Sequence, residues 1–260
     1  MTHADIPAGL RLCRLSHWNQ LEDDWRVFLD RGGAFVAEDG GAIVGTVAHL
    51  PFGRSFTWLS MMLVDPAARR SGIGTRLMET VLDEIGRTVV RLDATPLGEP
   101  LYRRFGFTDE YPLARTRVTA DRAAHRESPR ARPVSPSDLT AIGARDREVF
   151  GADRTPLLAG LLRRAPEFAW RTETAYCFGR AGALCPQLGP IVAEDAASAV
   201  ELLHHAFAAH HGRTFLLDVP NPPNGLGLPV ERPFRRMLRG GSLPHNSPHN
   251  VFAITGPEFG

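Results

Sequence analysis

A chain of 260 residues with 43% apolar content and a formal charge of +1 can bury one large core or two ordinary ones. Acids and arginines are spread along both halves, which speaks against a nucleic-acid partner, and neither a signal peptide nor an apolar run of about 18 residues points to a membrane; a cytoplasmic protein is the expectation. Three cysteines without CxxC spacing and histidines grouped only as adjacent pairs (His204 with His205, His210 with His211) suggest neither a disulfide framework nor a metal site.

The stretch HWNQLEDDWRVFLD (His17–Asp30) reads as an amphipathic helix burying Leu21, Trp25 and Phe28. AFVAEDGGAIVGTVAHL (Ala34–Leu50) holds two β-type runs joined at Asp39, Gly40 and Gly41, a hairpin signal, and FTWLSMMLV (Phe56–Val64) supplies a third strand closed by Asp65 and Pro66. From Gly72 the period changes, and Ile73, Leu77, Met78, Val81, Leu82 and Ile85 fall on one face of a helix. TVVRLDA (Thr88–Ala94) reads as a strand. PLYRRFGF (Pro100–Phe107) reads as a short helix ended by Gly106, and an extended run continues toward Val118.

Between Arg122 and Asp138 the chain turns rich in Arg, Pro and Ser without periodicity, which divides it into residues 1–122, a linker 123–137, and residues 138–260. The second part echoes the first. AYCFGRAGALCPQLGPIVAED (Ala175–Asp195) reads as a hairpin turning at Gly179 to Gly182, then a third strand ending in VAED. A helix with Ala199, Val200, Leu203, Ala206 and Phe207 on one face follows, and TFLLDVP (Thr214–Pro220) parallels VVRLDATP (Val89–Pro96). Where the first half has DPAARRSGIGTRLM, the second has EDAASAVELL, without the glycines. The fold class is α/β with mixed sheets, each flanked by helices, in two tandem domains.

A helix N-terminus presents unsatisfied N–H groups and binds anions. Gly72 and Gly74 let an oxygen-rich group approach those amides, and Arg69 and Arg70 add positive charge, so the loop asks for a phosphate or pyrophosphate. A P-loop needs a lysine that this chain lacks altogether. A dinucleotide fingerprint has Asp93 in a suitable place for the ribose but Leu77 where its third glycine belongs, and a hairpin precedes the loop.

Arg69, Gly72 and Gly74 spell R-x-x-G-x-G after MMLVDP, which resembles the acetyl-coenzyme-A motif of the GNAT N-acetyltransferases; PLYRRFGF is similar to the Tyr-x-x-x-Gly-Phe segment of the same superfamily. The whole chain resembles two-domain bacterial GNAT proteins through WN (Trp18, Asn19) with a following acid, FGADR (Phe150–Arg154), QLGPIVAED and the closing GPEFG, the second domain lacking the coenzyme loop. The resemblance implies acetyl transfer from acetyl-CoA to a small-molecule primary amine by direct attack, with neither metal nor covalent enzyme intermediate. A coenzyme-A-binding sensor or partner-binding module without turnover is the alternative.

By the same resemblance Met62, Leu63 and Val64 offer main-chain hydrogen bonds to the pantetheine arm in a wedge beside the RLDA strand. The diphosphate is expected on the segment Arg69, Arg70, Ser71, Gly72, Ile73, Gly74 and Thr75, and Tyr102 matches the proton donor to the departing thiolate. An asparagine common ahead of that tyrosine is replaced in the region of Thr95 and Pro96. The amine must also lose a proton, for which His49, Glu38, Asp23 and Asp24 are candidates. Acceptor recognition is expected from Trp18, Asn19 and Asp24, with Asp146, Asp153 and Arg154 from the second domain.

Overall fold

The computed structural model of the chain describes residues 1–121, 126–221, 228–241 and 248–260. The first half runs α1 (Ile6–Leu15), α2 (Glu22–Arg31), β1 (Gly33–Asp39), β2 (Ala42–Phe52), β3 (Phe56–Val64), α3 (Ile73–Ile85), β4 (Val90–Ala94), α4 (Glu99–Arg104) and β5 (Thr108–Thr119). The second continues with β6 (Arg132–Pro133), α5 (Leu139–Phe150), α6 (Thr155–Arg164), β7 (Trp170–Arg171), β8 (Ala175–Arg180), β9 (Gln187–Ala193), α7 (Ala196–Ala209), β10 (Thr214–Pro220), β11 (Arg232–Arg239) and β12 (Val251–Ala253).

The predicted hairpin, third strand, glycine-headed helix, RLDA strand and short Tyr102 helix all form where periodicity and turn residues place them. Residues 17–20 differ: they form a loop, because Leu21 and Asp24 cap the helix that starts at Glu22. α1 carries no comparable sequence signal, and it lies against α2 because Gly9 leaves room for the Trp25 ring, which an added Cβ would meet at 2.8 Å. In the second half the segment Leu188–Ala193 belongs to β9, the hairpin's second strand, and Gly179 lies inside β8; the expected separate third strand is not formed.

Among the described residues twelve strands form one sheet, in the order β1-β2-β3-β4-β11-β5-β10-β9-β8-β7-β6, with β12 on β9. β11, from the second half, lies between β4 and β5 of the first and is antiparallel to both. β5 in turn pairs with β10 over seven residue pairs, Thr119↔Thr214 to Leu113↔Pro220. A division at residues 123–137 therefore parts the chain but not the sheet, and residues 123–125 of that linker segment lie outside the described residues.

Helices cover both faces. On one face of the first half α3 buries Ile73, Leu77, Met78 and Val81 against Val47, Leu59, Val90 and Leu92. On the other, Trp25 and Phe28 of α2 share a core with Phe56, Trp58, Phe150 and Phe259, the last two from the second half. Phe150 meets Phe52 at 4.9 Å and Phe56 at 5.3 Å, and Phe259 stacks on Phe28 at 5.4 Å. Burying one such ring contributes about 1.5–3 kcal/mol, so FGADR and GPEFG carry the aromatic anchors that dock the halves. Arg154 braces the second-half side of this joint, donating to Asp146, to the Thr255 hydroxyl and to the Gly260 carbonyl.

Asn19 is a second joint. Its Oδ1 accepts from the backbone N–H groups of Leu184 (2.8 Å) and Cys185 (3.3 Å), and its Nδ2 donates to the Cys185 carbonyl at 2.9 Å. Asn19→Ala leaves those partly buried backbone groups without this partner and is expected to lower unfolding free energy by about 1 kcal/mol; chemical denaturation of the full chain measures it, and a midpoint equal to that of the parent would refute the clamp.

Candidate active site

β3 and β4 run parallel and pair only at Thr57↔Val90 and Trp58↔Arg91. Beyond that point β3 stays with β2 on one side, while β4 stays with β11 on the other. The strands separate, and among the described residues the β3 edge from Leu59 to Val64 has no strand opposite it. A bulge sharpens the separation: Thr46 and Ala48 on β2, two apart, face Leu63 and Ser60, three apart. One extra residue reverses the alternation of side chains, so Trp58, Met61 and Leu63 share one core and Leu59, Met62 and Val64 another. Met61 takes the strained φ of 52°, and the Thr46 hydroxyl fixes it by donating to the Met61 carbonyl at 2.8 Å.

A groove of about 1320 Å³ follows this open edge to the start of α3. There Gly72 has φ 83°, no side-chain cap satisfies the helix start, and a Cβ built on Gly72 would meet nothing within 4 Å. The first-turn amides thus face open space, with the exposed Arg69 and Arg70 beside them. These features fit the diphosphate of a coenzyme. Of the expected phosphate segment only Ser71 does not line the groove; its hydroxyl donates back to the Ala68 carbonyl at 2.6 Å.

The second half closes both equivalent features with its own atoms. Asp195 caps α7, its carboxylate accepting from the Ser198 N–H at 2.7 Å, so no anion-binding amides remain free in that way. β9 and β10 pair only at Gln187↔Leu216, and the gap beyond is filled by β12, which pairs with β9, and by the Ile254 N–H donating to the Asp218 carbonyl at 2.8 Å.

At its inner end the first-half groove opens into a small chamber; Trp18, Met62, Asp93, Thr95, Tyr102 and Arg232 line both spaces. Tyr102 is buried against Phe107, ring centroids 5.9 Å apart, and no hydrogen bond reaches its hydroxyl among the described residues. Burial raises its pKa above the ordinary tyrosine value, which keeps the hydroxyl protonated at neutral pH and able to donate. No cysteine competes as a nucleophile: burial pushes the thiols of Cys13 and Cys177 up to about 12, and Cys185 lines neither space.

Of the acceptor residues expected from sequence, Trp18 alone lines the chamber. Asn19 is spent on the hairpin joint. Asp24 is buried beneath, bound by Arg180 at 2.9 Å. Asp146 is held by Arg154 and by the Tyr176 hydroxyl at 2.6 Å, and Asp153 caps α6 at the Thr155 N–H and pairs with Arg147. His49 sits on β2 stacked with Phe35, outside both spaces, and burial lowers its pKa. Glu38 and Asp23 are exposed and line neither space.

What sequence reasoning missed comes from long-range contacts: Gln20, Arg115, Arg232, Phe234 and Glu258 line the chamber. Glu258 accepts from Gln20 Nε2 at 3.0 Å and from Arg180, and burial raises its carboxyl above the usual range. Arg115 is bidentate to Asp218 at 2.8 and 2.7 Å. Only GPEFG, which contains Glu258, offered a sequence signal.

The family description "Acetyltransferase (GNAT) domain" matches residues 30–109, and a second with the same description matches residues 142–253. The chain belongs to the GNAT N-acetyltransferase superfamily, with two such domains in tandem, and is an acyltransferase of that class. It is 24% identical over 243 residues to the uncharacterised N-acetyltransferase YitH of Bacillus subtilis (strain 168), covering 86% of this chain and 82% of that protein. A Pyrococcus horikoshii structure solved as a candidate acetyltransferase shares the fold with a TM-score of 0.85 at 21% identity, covering 100% of this chain and 94% of that one. A tandem GNAT protein of the clavulanic acid biosynthesis pathway superposes with a TM-score of 0.60 at 16% identity, over 93% of this chain and 98% of that one. GNAT domains in general take acetyl-CoA as co-substrate. Among the described residues no helix is long and apolar enough to cross a membrane, and no group of three or more His, Cys, Asp or Glu could hold a metal ion.

Gly72→Val forces a β-branched residue into a left-handed backbone, at about 1–2 kcal/mol. Coenzyme A affinity measured by calorimetry is expected to fall about tenfold; unchanged affinity would remove Gly72 from the anion site.

Proposed function

We propose that this chain transfers an acetyl group from acetyl-CoA to a small primary amine by direct attack within a ternary complex. The observation that carries the reading is the open β3 edge between the uncapped α3 start and the Tyr102 side chain: an anion site, a row of main-chain groups and a proton donor along one groove. Arg69, Arg70 and the amides from Arg70 to Thr75 hold the diphosphate. The main chain of Met62, Leu63 and Val64 extends the pantetheine arm as though it were another strand, and an N–H there polarises the thioester carbonyl as negative charge develops on it.

The acyl group arrives activated as a thioester. The groove and chamber hold the amine nitrogen in line with it; the new C–N bond forms as the C–S bond breaks, with the electron pair leaving on sulfur. Tyr102 donates its proton to that sulfur, and the proton lost by the amine restores the hydroxyl through solvent, so the products are an acetamide and a free thiol. Tyr102 is pre-organised for this because α4 fixes its backbone and Phe107 its ring.

Tyr102→Phe keeps the ring and removes the donor. Turnover followed by thiol release is expected to drop by about 10²- to 10³-fold while the heat of association with coenzyme A persists; full turnover in the variant would discard Tyr102 as the donor.

A further inference from the structure

Arg232 opens β11, the strand that the second half places in the first half's sheet, and lines both groove and chamber. Its acidic neighbours are committed elsewhere. Glu231 is bidentate with Arg117 at 3.1 Å for both bonds, Asp218 is taken by Arg115 and by Gln187 at 2.7 Å, and Asp93 is taken by Arg236 at 2.8 Å twice. No ion pair involves Arg232 among the described residues, and its Nε is buried without a hydrogen-bond partner. The guanidinium is held over the Phe234 ring, 4.5 Å from the centroid, which orients its planar fork. Burial first, and then the neighbouring Arg115, lowers its pKa, as expected of a cation whose counter-charge is missing.

A second unmatched group lies in the same chamber. Gln20 is buried, its Nε2 donates to the Glu258 carboxylate at 3.0 Å, and that bond fixes which end of the amide is the oxygen. Oε1 is left without a partner. One buried N–H donor on a cation and one buried amide acceptor, around an apolar wall of Trp18, Leu59 and Phe234, complement a small molecule that carries both an anion and an N–H. The coenzyme's phosphates have their own cations at Arg69 and Arg70 on the α3 loop, so the anion belongs to the acceptor.

We infer that the acceptor is a small amine bearing a carboxylate, of amino-acid type, whose carboxylate is held by Arg232 and whose nitrogen is met by Gln20 Oε1. The inference rests on the acetyl-transfer reading for its chemistry, but the carboxylate contact is independent of turnover. A planar carboxylate suits a planar guanidinium through two parallel N–H···O bonds. Arg232 thereby makes the second half a specificity element of the first half's site.

Thiol release at saturating acetyl-CoA, with the full chain, compares amino acids with their methyl esters, with the matching amines lacking the carboxylate, and with phosphorylated amino alcohols. The free acids are expected to have kcat/KM about 10- to 100-fold higher than their esters. Arg232→Gln should abolish that preference mainly through KM, Arg232→Lys should restore part of it, and both should keep the parent's Tm and heat of association with coenzyme A. In parallel, calorimetry of the coenzyme-A-saturated protein titrated with the preferred amino acid should give a heat that Arg232→Gln loses. Equal turnover of acids and esters, or preference for the phosphorylated amines, overturns the inference and leaves acetyl transfer standing. Loss of coenzyme A binding in Arg232→Gln with the acid preference intact reassigns Arg232 to the coenzyme. If no amine releases thiol, acetyl transfer fails, whereas an amino-acid heat dependent on Arg232 still sustains the carboxylate site and its absence removes that too.

Discussion

The separation of β3 from β4 after Trp58 is the constraint on which the site depends. Hydrogen bonding would ordinarily continue along two parallel strands. Here each strand is held by a different neighbour: β3 by β2 through the Met61 bulge, and β4 by β11 through the register that sets Asp93 against Arg236. Trp58 sits at the branch point, fully buried, its indole N–H donating to the Pro257 carbonyl at 3.0 Å and its ring beneath Arg236 at 4.7 Å. Breaking the buried Asp93–Arg236 pair by removing one partner would cost about 3–5 kcal/mol, so the register of β4 on β11 is firmly specified. A row of main-chain groups is thereby offered to a ligand in place of a strand.

The same device occurs twice and is left open once. In the second half β9 and β10 part too, after one pair rather than two, yet the chain fills its own gap with β12 and caps α7 with Asp195. Those atoms occupy the positions that the first half leaves open. The second half instead contributes β11, whose Arg232 and Phe234 wall the chamber, and the closing GPEFG, which supplies Glu258 to it and Phe259 to the first-half core. Strand exchange makes the two domains one sheet and brings residues of both to the chamber wall.

Local features were legible in the sequence because local physics produces them. Turn glycines at Gly40 and Gly41, the period change at Gly72 and the glycine after Arg103, Arg104 and Phe105 each determine a nearby backbone, and all have positive φ in the structure where a turn or cap needs it. The loop residues Arg69, Arg70, Gly72 and Gly74 of the groove were legible as a local anion-binding pattern, whereas Met62, Leu63 and Val64 came only through the family resemblance. The chamber was not. Arg232 and Glu258 reach it from over 100 residues away in sequence, through a strand exchange that no periodicity announces, and Asp24, Asn19 and Asp146 look like ligands in the text because buried pairing partners such as Arg180 and Arg154 are invisible there. His49 misleads for a simpler reason: alternation places it on a strand but does not say which end of the sheet holds the groove.

Hydrogen exchange of the full chain with and without coenzyme A addresses the opening most directly. Protection should rise at the amides of Met62 to Val64 and of Gly72 to Thr75 together, with β9, β10 and the start of α7 unchanged. Protection that leaves both first-half segments untouched, or that appears instead along β9 and β10, would contradict a ligand lying in the gap between β3 and β4.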